Sequence, residues 1–320
     1  FDVLKPATVE EAVAMRAGRD DARYLSGGTD IIPNIRRGIV EPGALIDLAG
    51  IAEIGTIEET RDGGLKIGAA VTLATLEGDP RINKSHRAVA QAASEVAAAS
   101  HRNVATLGGN LCLDTRCVYY NQSEWWRASN DYCLKYRGEI CHVAPKSKVC
   151  FAAFSGDVAP ALMVMRASVD LVGPKGRRTE ALPDIYQNDG ADHLLIDKDE
   201  ILTAVTIPAN DGWTTGYGKI RVRTAIDFPL AGIAIALKRD GANLAAIRVA
   251  VTGLDSRPLN LEGTDGLAGR PFDDGVLEDL EKLLPKQIQP MTSTFTPPGY
   301  RRRVSANLIK ALARDLFDAA

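Results

Sequence analysis

The sequence predicts an α+β protein laid out in three successive segments, and three observations carry that expectation. Residues 1–53 alternate helix-like and strand-like stretches around a glycine turn, which makes a small α/β unit. Residues 54–210 change to short strands, an alanine-rich helix and a second glycine turn. Residues 211–320 open with three strand-like stretches and close with two helical ones, after a linker near Ala209 to Trp213.

Each element follows from local pattern. Thr8 with Glu11 forms a capping box, the first helix runs through Val13 and Met15, and Gly18 closes it. A strand at Ala22 to Leu25 enters Ser26-Gly27-Gly28-Thr29-Asp30. A helix from Ile31 to Arg37, ended by Gly38, and a strand at Ala44 to Leu48 come next. Short strands at Ile54 to Glu58 and Leu65 to Ile67 precede a long helix, about Ile82 to Ala99, and a second glycine loop, Ala105 to Asn110. Residues 113–150 lose amphipathic rhythm and hold paired aromatics, scattered charges and four cysteines, unusual for a loop of this length. A helix near Val158 to Met165 and a strand at Ser168 to Val172 restore order. Tyr217 to Thr224, Leu230 to Leu237 and Ile247 to Val251 read as strands, Gly275 to Leu284 and Ser305 to Phe317 as helices.

Composition removes several function classes. The 320 residues suffice for two or three packed domains, and 45% apolar with 25% charged residues is ordinary for a soluble globular chain. A net charge of −3 leaves no basic footprint for nucleic acid. The most apolar stretch, Phe151 to Val172, is broken by Asp157, Pro160, Arg166 and Asp170, so no membrane span is expected. Phe1 to Pro6 lacks the basic start and apolar core of a signal peptide. Five cysteines, all between Cys112 and Cys150, are an odd number for a disulfide framework, so a reducing, cytoplasmic setting is the expectation.

A turn such as Gly27-Gly28-Thr29-Asp30 between strand and helix can aim its backbone N–H groups at one point, and without β-carbons a diphosphate can come close. One such turn alone reads first as a tight bend; a second, Gly108-Gly109-Asn110, raises the case that both clamp one nucleotide. Neither is a GxGxxG fingerprint and no GxxxxGK[ST] occurs, which disfavours a Rossmann domain.

At these loops the chain resembles the flavin subunits of molybdenum hydroxylases, which include the medium subunit of carbon monoxide dehydrogenase and the flavin domain of xanthine dehydrogenase. Leu25 to Asp30 followed by Arg36-Arg37-Gly38 is similar to the family's first FAD loop, and Arg102 to Asn110 to its second. Ser155 to Leu162, Glu200 to Leu202, Lys219 to Arg223, Asp227 to Ala231, Val249 to Gly253 and Tyr300 to Arg302 follow in family order. The resemblance implies a two-subdomain FAD-binding domain of the molybdenum-hydroxylase flavoprotein (PCMH/VAO-like) type, a C-terminal α+β domain, and FAD as cofactor. By position it implies that Leu25, Ser26, Gly27, Gly28, Thr29, Asp30, Ile31 and Ile32, with Thr106, Gly108, Gly109 and Asn110, contact the diphosphate and ribityl chain. Asp157, Leu202 and Lys219 match positions near the adenine or the isoalloxazine ring, and His101 joins them where the family is usually apolar. Asp157 reads equally as a helix N-cap, and Lys219 as a strand-edge charge.

Where the family has a short connection, this chain carries the segment 113–152 with Cys117, Cys133, Cys141 and Cys150. Four thiolates suit a [4Fe–4S] cube, one per iron. The residues alone also admit zinc, disulfides or unligated buried thiols. The intervals of 15, 7 and 8 residues contain no CxxC knuckle of the kind zinc sites usually show. Cys112 sits on the family framework and reads as packing, and His142, next to Cys141, as a poor substitute ligand. Tyr119, Tyr120, Trp125 and Trp126 read as cover for a cluster or a face for a partner.

A flavin subunit with such a loop resembles the 4-hydroxybenzoyl-CoA reductase branch of the family. That implies an electron-transfer subunit between a ferredoxin-type donor and partners carrying [2Fe–2S] clusters and molybdopterin, in an (αβγ)2 assembly. Two other readings stay open: an oxidative relative delivering electrons to NAD or quinone, and a zinc-stapled nucleotide-binding assembly protein. No general acid, base or nucleophile stands out in this chain.

Overall fold

The structure, a computed structural model, describes residues 1–292 and 296–320. Three sheets organise it. The first is parallel, in the order Asp2–Leu4, Ala44–Asp47, Ala22–Leu25. The helix Val9–Ala17 makes the crossover between its outer strands. Thr8 caps that helix by accepting from the Glu11 N–H, and the Glu11 carboxylate accepts from Ala7. The helix Ile31–Arg36 follows the second strand, ending before Gly38, whose φ of 63° only glycine adopts without strain.

The second sheet is antiparallel, in the order Ile57–Glu59, Leu65–Gly68, Ile201–Ile207, Ser168–Gly173, Gly176–Ala181. Its inner face packs with the helix Val158–Val164, every residue of which is buried, and with the alanine-rich helix Arg87–Ser94. The third sheet is antiparallel, in the order Leu259–Asn260, Asn243–Thr252, Ala231–Asp240, Thr214–Ile220. The helices Asp274–Leu283 and Pro298–Ala319 cover one face of it, where Phe272 stacks on Phe317 at 4.0 Å between ring centres. Among the described residues no helix is long and apolar enough to cross a membrane.

Three expectations from periodicity are corrected. The long helix over 82–99 is broken into Pro80–Ser85, Arg87–Ser94 and Ala99–Arg102. Lys219 and Arg221 donate to the Glu95 carbonyl, satisfying an acceptor that a continuing helix would have used itself. The strand expected over 217–224 stops at Ile220, because the Asp227 carboxylate takes the N–H groups of Val222 and Arg223 out of the ladder. The strand expected from Ile54 begins at Ile57, after a 3-10 turn over Ala52–Ile54. The cysteine segment is irregular as anticipated, apart from a short helix, Glu124–Ser129, capped by Ser123.

Candidate flavin cleft and cysteine nest

The two glycine loops meet face to face. A β-carbon on Gly27 would run into the Val104 carbonyl and come within 2.9 Å of Ala105 Cα, so only glycine permits this approach. Ser26 Oγ and Thr106 Oγ1 share a hydrogen bond of 2.9 Å across the junction. Thr106 also accepts from the Gly109 N–H, which shapes the second turn, while a β-carbon on Gly108 would lie 2.8 Å from Ala69 Cβ. Gly28 turns at φ 71°. Between these loops and the second sheet lies a cleft of about 850 Å³, a size suited to a dinucleotide-class ligand.

Of the residues expected to hold the nucleotide, Ser26, Gly27, Gly28, Thr29, Asp30, Ile31, His101, Thr106, Gly108, Gly109, Asn110, Asp157 and Leu202 line this cleft. Leu25, Ile32 and Lys219 do not line it. Leu25 and Ile32 pack either side of the Gly28 turn, where each would touch an added β-carbon at 3.3 Å. Lys219 lies behind the wall: its buried Nζ donates to Asp157 Oδ2 and to the Glu95 carbonyl, each at 3.0 Å.

Asp157 makes no side-chain cap of the helix it precedes; Asn110 Oδ1 does that, accepting from the Val158 N–H at 3.1 Å. Asp157 instead accepts from Tyr217 at 2.7 Å as well as from Lys219. Burial pushes its carboxyl up to about 6, against the opposing pull of Lys219 and Tyr217. The group is therefore a buried carboxylate network at the cleft wall, and the strand-edge reading of Lys219 is replaced by a buried ion pair.

Sequence reasoning missed several cleft residues. Arg223, Ile226, Asp227 and Phe228 enter from the loop after Ile220, and Cys112, Asp114, Arg116 and Asn121 from the start of the cysteine segment. Arg116, next to Cys117, was the legible one: a charged residue beside a buried ligand-type residue needs a partner. It finds Asp30 of the first glycine loop as an ion pair and Phe228 under its guanidinium at 5.8 Å.

The cysteine segment is pinched at its neck. Arg116 and Ala153 exchange both backbone hydrogen bonds at 2.8 Å, so the chain from 117 to 152 forms a closed excursion. Cys117, Cys133 and Cys150 join one buried cluster with Tyr120, Ala152, Ala153, Ile39 and Met291, and Cys141 is buried beside Cys150. Backbone N–H groups turn toward three of the sulfurs: Tyr119 and Tyr120 toward Cys117, Val143, Ala144 and Phe151 toward Cys141, and Ala152 toward Cys150 at 3.4 Å. Donors aimed at sulfur pull toward the thiolate, but the Cys141 contact outweighs them at Cys150 and burial outweighs them at Cys117. A hydrogen bond between the Cys141 and Cys150 thiols holds Cys141 down and Cys150 up, while burial raises Cys117.

Among the described residues, no three of His, Cys, Asp or Glu converge on one point closely enough for a single metal ion. Two buried cations brace the excursion. Lys135 donates to Asp114 at 2.7 Å, Thr115 at 2.5 Å and the Gly190 carbonyl at 2.7 Å. Arg127 donates to the Gly38 carbonyl at 2.7 Å and lies over the Tyr136 ring. Asp131, Tyr132 and Arg137 hold φ between 53° and 59°, a strained choice for non-glycine residues that crowds around Cys133. Cys112 stays apart from this cluster; it lines the flavin cleft, and burial pushes its thiol up to about 12.

Comparison with known proteins agrees with this geometry. Residues 1–210 match the FAD binding domain in molybdopterin dehydrogenase, and residues 217–316 the CO dehydrogenase flavoprotein C-terminal domain. The aldehyde oxidoreductase FAD-binding subunit PaoB of Escherichia coli is 31% identical over 274 residues, covering 83% of this chain and 85% of that one. The carbon monoxide dehydrogenase medium chain of Afipia carboxidovorans is 27% identical over 316 residues, covering 97% and 94%. In fold, the reconstituted CO dehydrogenase from Oligotropha carboxidovorans superposes with a TM-score of 0.83 at 23% identity, over 100% of this chain and 98% of that one. The cleft thus lies within an FAD-binding domain, and this chain belongs to the FAD-binding subunits, or medium chains, of the xanthine oxidase/CO dehydrogenase family of oxidoreductases.

Proposed function

We propose that this chain is the electron-transfer subunit of a cytoplasmic molybdenum-containing reductase, with FAD in the cleft and a [4Fe–4S] cluster on Cys117, Cys133, Cys141 and Cys150. The observation that carries the cluster is the set of four buried thiols gathered inside one pinched, strained excursion, with backbone N–H groups turned toward three of them. Flavin exchanges electrons singly or in pairs, so it couples one-electron clusters to other donors. The chain's own work is to hold both groups near each other and dry. Cys117 lines a small cavity that shares Arg116, Asn121 and Phe228 with the flavin cleft, which supports short-range exchange between the two.

In this reading the partners are a molybdopterin-containing large subunit and a [2Fe–2S] small subunit in an (αβγ)2 assembly, with a ferredoxin-type donor. The reaction is reductive dehydroxylation of 4-hydroxybenzoyl-CoA, with the acyl-CoA bound by the molybdenum subunit. This specificity rests on the cysteine excursion. Iron, zinc and flavin analysis followed by EPR of the reduced protein tests it. About four irons and one FAD per chain support the cluster; one zinc and no iron supports the stapled assembly protein instead.

A second reading has its own support, since the relatives bear names of dehydrogenases and an aldehyde oxidoreductase. In it the flavin delivers electrons from an oxidised substrate to NAD or quinone. Stopped-flow mixing separates the two: rapid, saturable flavin reduction by NADH favours the oxidative reading, and reduction by reduced ferredoxin alone favours the reductive one.

A further inference from the structure

Six buried side-chain nitrogen or oxygen atoms lack a partner among the described residues, and three of them line the flavin cleft: His101 Nδ1, Arg116 Nη1 and Asn121 Oδ1. An unpaired buried polar atom costs roughly 1–3 kcal/mol, so three in one cleft mark where a ligand completes the hydrogen bonding. Arg116 and Asn121 share a corner, because both also line the smaller adjoining cavity together with Ser155, Asp227 and Phe228. Arg116 cannot swing away from it. Its backbone is bonded both ways to Ala153, and its guanidinium is tied to Asp30 and lies over the Phe228 ring.

The corner therefore offers one charged donor and one neutral acceptor. A diphosphate has only acceptor oxygens and would leave Asn121 Oδ1 unpaired. The pyrimidine edge of isoalloxazine alternates carbonyl oxygens with an N3–H, which matches both atoms. The adenine edge also pairs a donor with an acceptor, but it stays neutral in both redox states of FAD. Isoalloxazine reduced by two electrons with uptake of one proton gains a negative charge, and a buried guanidinium is worth most beside such a charge. We propose that Arg116 and Asn121 receive the pyrimidine edge of the flavin ring, Arg116 donating to a ring carbonyl oxygen and Asn121 accepting from N3–H. The cysteine excursion thereby contributes flavin-tuning residues whether or not it carries iron. The inference rests on the FAD assignment of the cleft and is independent of the cluster.

The test is FAD titration and spectroelectrochemistry on the full chain in its wild-type, Arg116→Gln, Arg116→Lys and Asn121→Leu forms, with iron measured in each sample. Arg116→Gln is expected to cut the preference for reduced over oxidised flavin at least tenfold, a drop of about 30 mV for a two-electron couple. Arg116→Lys is expected to recover most of that drop, and Asn121→Leu to weaken FAD about tenfold in both redox states. A midpoint unchanged in Arg116→Gln, whether or not FAD affinity falls, overturns the proposal, since an adenine or diphosphate contact would act on affinity alone. If Arg116→Gln does not fold, unchanged FAD affinity in Asn121→Leu overturns it. Loss of iron from every sample would count against the cluster and leave the flavin comparison intact.

Discussion

Gly27 faces the Val104 carbonyl so closely that the two glycine loops touch through bare backbone. Neither side of that contact is a flexible side-chain end, so neither can step aside. The cleft exists in its present shape because of this junction.

The Gly27→Ala variant should therefore part the loops. Overpacking of this kind costs about 1–3 kcal/mol, and FAD retention should fall at least tenfold. Gly78→Ala is the control, since nothing lies within 4 Å of its added β-carbon. Flavin-to-protein absorbance after gel filtration reads both variants, and equal flavin content in the two would refute the argument.

The thiols make a second prediction. Cys133→Ala should lose cluster iron while keeping FAD, because Cys133 lies in the buried cysteine cluster and does not line the flavin cleft. Cys112→Ser should keep its iron. Iron retained in Cys133→Ala would strike that residue from the ligand set.

Lys135 pins the excursion from inside, where its Nζ gathers three oxygens. Replacing it by Met leaves a partly buried Asp114 uncompensated, at a cost of about 2 kcal/mol or more. Protease cleavage within 117–152 should quicken and the melting temperature drop. A melting temperature within error of wild type would mean that the cation contributes only position.

Two buried groups set opposing pH dependences. Asp157 titrates at about 6 in the folded chain against 3.8 as a free side chain, so the unfolded state sheds its proton first and stability falls as pH rises from about 4 to 6. His193 is pressed down to about 4 from 6.5 by burial, so it must take up a proton on unfolding and stability falls as pH drops from about 6.5 to 4. Each amounts to roughly 3 kcal/mol at 1.36 per unit, and the two nearly cancel. Asp157→Asn should leave a protein that loses stability in acid, and His193→Gln one that gains it. Urea denaturation at pH 4.5 and 7 measures the sign, and parallel curves for the two variants would contradict the assignment.

Much of the cleft lining was legible along the chain because it is built from local turns. Glycines that flank a strand end and a helix start declare their need for close approach, and Thr8 declares a helix start by the cap it can make, whereas the short helices capped by Thr106 and Ser123 carry too little periodicity to show. The aperiodic stretch that carries the four cysteines was likewise legible as an irregular segment, which the structure keeps, apart from one short helix. Lys219, by contrast, looked like an edge charge, since nothing near it in sequence reveals Asp157 on another element 62 residues away. The broken helix before the second loop was hidden for the same reason: the cations that take its last carbonyl come from the third sheet.

The sequence by itself determined most element types, the paired glycine turns and the extent of the cysteine excursion, because propensity, capping and turn chemistry act over a few neighbouring residues. Only the tertiary structure decided that Arg116 reaches Asp30, that Asn110 caps the helix at Val158, and that the loop after Ile220 closes over the cleft. Those contacts are settled by which buried polar groups can be paired once the sheets have packed, and that choice is made across the fold.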